Sequence, residues 1–76
     1  AYINDVNLLL YDKIDEKIRV KAKIRYAAKE ADATVYATQD ENVLRVVFDI
    51  PQMAITPGQA IVFYVDDIVV GGGKIM

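Results

Sequence analysis

Residues 17–26 place a cation at every second position: Lys17, Arg19, Lys21, Lys23 and Arg25 alternate with Ile18, Val20, Ala22, Ile24 and Tyr26. Successive side chains of an extended chain point to opposite faces, so the five cations share one face, about 6.5–7 Å apart. Such a ladder can neutralise successive phosphates of a polyanion, each contact releasing counterions and making binding salt-dependent. Tyr26, beside Arg25 at the end of the row, offers a ring on which a base or sugar can stack. The same row serves equally as a solvated outer face that keeps a small β-protein soluble and blunts an edge with lysine. The residues alone leave both readings open.

Covalent chemistry has few candidates in this chain. Its 76 residues include no histidine, serine or cysteine. A nucleophile would have to be Thr34, Thr38, Thr56 or a lysine, with no imidazole to serve as its base. Without cysteine there is neither a disulfide framework nor a cysteine zinc site. Asp66 and Asp67 suggest a metal at first sight, but neighbours on a strand diverge, so the pair reads better as a hairpin turn. We therefore expect no catalytic residue and no metal ligand here.

The glycine run Gly71, Gly72 and Gly73 is the second feature that invites a function. Successive backbone N–H groups can cup an anion. The run opens no helix, however, and lacks the Gly-Lys-Ser/Thr of a phosphate loop. Three glycines also suit a bulge under tight backbone packing, or a surface on which another domain docks closely.

Charge is distributed unevenly along the chain. The total is -2, yet residues 13–29 carry seven cations against Asp15 and Glu16, while residues 30–73 carry seven acids against Arg45. Free nucleic-acid binders are usually basic overall, so any polyanion contact here must be local.

The elements that must position these groups are short strands. Period-two alternation predicts strands over 6–10, 17–26, 33–38 and 43–50, the last ended by Pro51, which withholds a ladder donor. Residues 27–32 favour helix by propensity but are too few to hold one, so they read as a loop with at most one helical turn. Thr56, Pro57, Gly58 and Gln59 form a turn, because proline presets φ and glycine accepts the positive φ of type II. Gln52 and Gln59 flank it, placed to bond across the turn or to RNA. Residues 60–65 are almost wholly apolar and read as a strand buried on both faces, with 68–70 pairing back as the second arm of a hairpin. Six short strands in one small chain predict an all-β fold, a small antiparallel barrel or sandwich, and closure removes edges that a Val- and Ile-rich chain would otherwise expose. Apolar runs fall far short of the roughly 20 residues of a membrane helix. No basic leader is visible, since Asn4 and Asp5 interrupt the apolar start, and the missing initiator methionine fits a domain of a longer protein.

Phe48-Asp49-Ile50-Pro51-Gln52-Met53-Ala54-Ile55-Thr56-Pro57-Gly58-Gln59, then Val62-Phe63-Tyr64, then Gly71-Gly72-Gly73, resembles the C-terminal end of the tRNA-specific 2-thiouridylases. Lys23-Ile24-Arg25-Tyr26 resembles their Arg-Tyr element and Val6-Asn7 their opening strand. Ala27 and Ala28 stand where that family usually continues with a basic residue and a glutamine. The resemblance implies a six-stranded β-barrel like the second domain of elongation factors, with residues 1–76 as one C-terminal domain. It further implies an accessory role in a cytoplasmic tRNA-modifying enzyme that uses ATP and sulfur transfer on the wobble uridine. The partners implied are the tRNA anticodon arm, the enzyme's own N-terminal catalytic domain and a sulfur-donor protein, with no membrane. Arg19, Lys21, Lys23, Arg25 and Tyr26 would then meet RNA. Thr56, Pro57, Gly58, Gln59 and the three glycines would shape the fold or dock it.

Overall fold

The computed structural model describes residues 1–9, 17–24, 30–51 and 55–76. Six strands occupy Tyr2–Leu8 (β1), Lys17–Ile24 (β2), Ala31–Ala37 (β3), Leu44–Phe48 (β4), Ala60–Val65 (β5) and Ile68–Ile75 (β6). They close into a barrel in the order β1-β4-β3-β2-β5-β6, every neighbouring pair antiparallel. The expected small antiparallel six-stranded barrel is the fold observed.

Alternation decides which side chains fill it. Val20, Ala22 and Ile24 of β2 point inward while the intervening cations point out. Ile3, Val35, Val46, Ile61, Phe63 and Val70 are the largest side chains sealed from solvent, and they meet at the axis. Among the described residues no polar or charged side chain is buried, so the interior is an apolar plug.

Several boundaries differ from expectation. β1 starts at Tyr2, ahead of the expected residue 6, because Tyr2 and Ile3 pair with β4 and Ile3 and Asn4 with β6; beyond them Asp5 adopts φ 49° and the pairing with β6 slips between Asn4 and Asn7. A bulge of this kind breaks the simple alternation that sequence reading depends on. β3 begins at Ala31, inside the segment read as a loop: Ala31 pairs with Ala22 and Asp32 with Lys21, so tertiary pairing overrides local helix propensity. The rest of the possible helical turn lies outside the described residues. β5 matches its expected range but buries one face only; Ile61 and Phe63 are internal while Val62 and Tyr64 are half-buried on the outside.

The glycine run is a strand interior, contrary to the expectation that β6 would end at Val70. Gly71, Gly72 and Gly73 pair with Phe63, Val62 and Ile61 of β5, and Gly71 and Gly72 also pair with Leu8 and Asn7 of β1. A Cβ on Gly73 would lie 2.6 Å from the Asn4 carbonyl oxygen, one on Gly71 2.8 Å from that of Asn7, and one on Gly72 would strike the Ile61 carbonyl. Glycine is required because β6 is approached closely by the backbone of β1 at Gly71 and Gly73 and by that of β5 at Gly72.

The two turns follow their residues. Asp66 and Asp67 both adopt positive φ, 51° and 65°, between paired Val65 and Ile68, which is a two-residue type I′ hairpin. In the second turn Gly58 has φ 90°, and the Gln59 N–H reaches the Thr56 carbonyl at 3.4 Å. The turn is tied to the end of β6 by Gly58 N–H to the Ile75 carbonyl (2.7 Å) and Ile75 N–H to that of Gln59 (2.9 Å).

Candidate nucleic-acid interface

β2 presents Lys17, Arg19 and Lys21 exposed and Lys23 half-buried, all on the outer face as the alternation requires. Arg25 and Tyr26 lie outside the described residues. The ladder is therefore present in its first four rungs, but two of these are already engaged. Arg19 donates to both carboxylate oxygens of Asp49, at 2.6 and 2.7 Å, and to the Thr34 hydroxyl at 2.9 Å. This forked geometry holds the Asp49 carboxyl below its ordinary range, through the hydrogen bond first and charge second. By the same bond Arg19 is held above its own. Lys21 faces Asp32 across the β2–β3 pair, 3.8 Å away. Both of those side chains are well exposed, so solvent screens the pair and its contribution is small.

Lys17 and Lys23 have no ion pair among the described residues. Around Lys21 the surface is mixed in sign: a groove of about 460 Å³ is lined by Arg19, Lys21, Asp32, Tyr64, Asp66 and Asp67. The β2 cations without an ion pair among the described residues thus stand toward its two ends, away from the acidic hairpin.

Other candidates resolve into structure. Thr34 accepts from Arg19. Thr38 accepts the Asp40 N–H at 3.1 Å and lies 2.7 Å from the Val43 carbonyl, so its hydroxyl closes the β3–β4 turn. Gln59 accepts the Thr56 N–H on its side-chain oxygen at 2.9 Å, across the turn; Gln52 lies outside the described residues. The backbone of the three glycines is engaged in the ladders, which removes the anion cup as a reading. Over them instead lies a shallow apolar groove of about 360 Å³, bordered by Leu9, Val62 and Val69, with Asp5 and Lys74 at its edge.

Register also assembles a row that the linear pattern did not disclose. Tyr2 lies opposite Arg45, Arg45 opposite Tyr36, and Tyr36 opposite Lys17, across β1, β4, β3 and β2. The Arg45 guanidinium sits 5.9 Å from the centre of the Tyr36 ring, within cation–π range. Arg45 had stood out in the sequence only as the one cation of an acidic half. Its aromatic neighbours are brought to it by pairing between strands far apart in the chain.

Comparison with known proteins agrees with this architecture. The family model described as the aminomethyltransferase beta-barrel domain matches residues 1–75. The chain is similar to the tRNA-specific 2-thiouridylase MnmA of Acetivibrio thermocellus, 63% identical over 71 residues that cover 93% of this chain and 20% of that protein. It is 58% identical over 69 residues to tRNA-specific 2-thiouridylase MnmA 1 of Thermoanaerobacter pseudethanolicus, covering 91% and 19%. With the tRNA-specific 2-thiouridylase MnmA of Clostridioides difficile the identity is 51% over 71 residues, covering 93% and 19%. The chain spans about a fifth of the length of these relatives. A closed antiparallel barrel that matches one family model over residues 1–75, and that is 51–63% identical to these three proteins over nine-tenths of its length, belongs to the aminomethyltransferase beta-barrel domain family, as the C-terminal barrel of the tRNA-specific 2-thiouridylases.

Proposed function

We propose that this barrel is an RNA-positioning domain of an ATP-dependent tRNA 2-thiouridylase acting in the cytoplasm. In this reading ATP use and sulfur transfer to the wobble uridine belong to the enzyme's catalytic domain, supplied by a sulfur-donor protein. The barrel holds the anticodon arm toward that site by charge and geometry. The observation that carries the reading is the outward cation row of β2 in an otherwise acidic chain. With an apolar interior and no histidine, serine or cysteine, the barrel has few means for chemistry of its own. Its surface charge is suited to holding phosphates.

The test is an amide chemical-shift titration of the chain with an anticodon stem-loop RNA, at low and then physiological salt. Saturable shifts along Lys17, Arg19, Lys21 and Lys23, extending toward Arg25 and Tyr26 and fading with salt, are expected. Reversing charge at Lys23 and Arg25 should weaken capture and flatten the salt dependence, by about one unit of slope per lost phosphate contact. An intact fold with no shift at low salt would sink the reading.

The apolar groove over Gly72 favours a second reading, in which the barrel docks on its own catalytic domain without touching RNA. Exposed Leu9 and Val69 border that groove. Here Leu9→Ser and Val69→Thr in the longer enzyme would loosen the domains, while the charge reversals on β2 would leave tRNA affinity alone.

A further inference from the structure

We propose that Tyr2, Arg45, Tyr36 and Lys17 form a site for one unpaired RNA base and the phosphate beside it. The inference rests on the reading of the barrel as an RNA-positioning domain and names a face and a mode of contact that the β2 ladder does not supply.

Four adjacent strands place these side chains in one outward row, Tyr2 opposite Arg45, then Tyr36, then Lys17. At the usual strand spacing the row spans about 14 Å. A groove of about 550 Å³ is lined by Tyr2, Arg45 and Tyr36 of this row with Thr38, Gln39, Asp40 and Val43, while Lys17 stands beyond Tyr36, outside that lining. Tyr2 is 52% exposed, and among the described residues neither tyrosine hydroxyl has a hydrogen-bond partner. Exposed Tyr2, at the end of the row next to Arg45, is an available π surface, and stacking on such a surface tolerates any base.

The row shares Lys17 with the ladder and adds Arg45 to it. Arg19 and Lys21 are paired to carboxylates, whereas Arg45 and Lys17 have no ion pair among the described residues. The Arg45 guanidinium lies 5.9 Å from the centre of the Tyr36 ring, a contact that uses none of its N–H donors. Those donors remain for a phosphate, and a planar fork suits a phosphate's paired oxygens. Asp40 is the one acid lining the groove. One of its carboxylate oxygens accepts the Asn42 N–H at 2.9 Å, which holds it at the turn, where it can accept from a base N–H and repels a second phosphate. Tyr2 then stacks the base, Arg45 and Lys17 take the phosphate, and the acid limits the site to one nucleotide step.

The test follows the tyrosine ring resonances of this chain during titration with a short oligouridylate and, separately, with an anticodon stem-loop. Both rings are expected to shift with the oligouridylate. Tyr2→Leu should weaken its binding by about fivefold or more, as loss of a stacking partner does, and Tyr36→Leu should weaken it by removing the ring beside Arg45, both with the salt slope unchanged. Lys17→Gln should lower that slope by about one. Should a leucine variant fail to fold, ring shifts in the unsubstituted chain and the exposed-site change Arg45→Gln decide the matter, the latter with a similar loss expected. Silent rings and unaltered Arg45→Gln binding, while the stem-loop still shifts the amides of Lys21 and Lys23, would overturn this site and leave the ladder grip standing. No shift with either RNA would remove the RNA-positioning reading and this site with it.

Discussion

Arg19 shows how a side chain with the right charge in the right place is still not free to act. A phosphate approaching it must displace Asp49, whose two oxygens already accept from the guanidinium at 2.6 and 2.7 Å. Asp49→Asn should therefore strengthen stem-loop capture severalfold and steepen its salt dependence by about one unit, since the released arginine gains a phosphate contact. The pair also has a pH signature. The folded-state pKa of Asp49 is depressed, chiefly by the hydrogen bond from Arg19. Its contribution to stability is thus present above the ordinary carboxylate pKa and is lost as pH falls through the lower folded value. Arg19→Gln should return the Asp49 midpoint upward toward 3.8, read from its carboxyl carbon shift against pH. An unmoved midpoint would mean that the fork does not persist in solution.

Among the elements, the β5–β6 hairpin states its geometry most plainly. Two aspartates carry positive φ in a two-residue turn, where Asn-Gly is the favoured pair. Asp67→Gly should stabilise the chain by about 0.5–1 kcal/mol by relieving a left-handed non-glycine residue, seen as a higher urea midpoint at unchanged slope. The same change removes one acid from the groove beside Lys21 and should not weaken RNA capture. Strand β2 was legible through alternation and the turn at Pro57 through Pro-Gly chemistry, both of which are local. The early start of β1 was not, because Asp5 sits in a bulge that local pattern cannot reveal. Nor was the continuation of β6 through its glycines, which looks unfavourable until the neighbouring backbones are in place.

At the scale of the whole molecule, closure depends on that continuation. β6 joins β5 to β1, and the Ile61 carbonyl occupies the space that a side chain on Gly72 would need. Gly72→Ala should cost about 1–3 kcal/mol as an overpacked, rigidly framed site, measured by chemical denaturation. A neutral result would mean that the seam relaxes more readily than paired backbone should. For the same reason a bulky residue at Gly72 reports on the barrel itself before it reports on domain docking. Leu9 and Val69, on the rim of the groove, are the better probes of a docked partner.

The sequence by itself determined that there are six short strands, which side of β2 faces water, where the two tight turns fall, and that tools for covalent catalysis are scarce. These follow from alternation, positive-φ residues and composition, all of which act within a few residues of chain. Only the tertiary structure decided the strand order and the bulges. It also set Asp49 against Arg19 from thirty positions away and brought Tyr2, Arg45, Tyr36 and Lys17 into one row. Those outcomes depend on which strands become neighbours and in what register. In a closed barrel that is settled by satisfying every ladder at once, so no local stretch of sequence carries it.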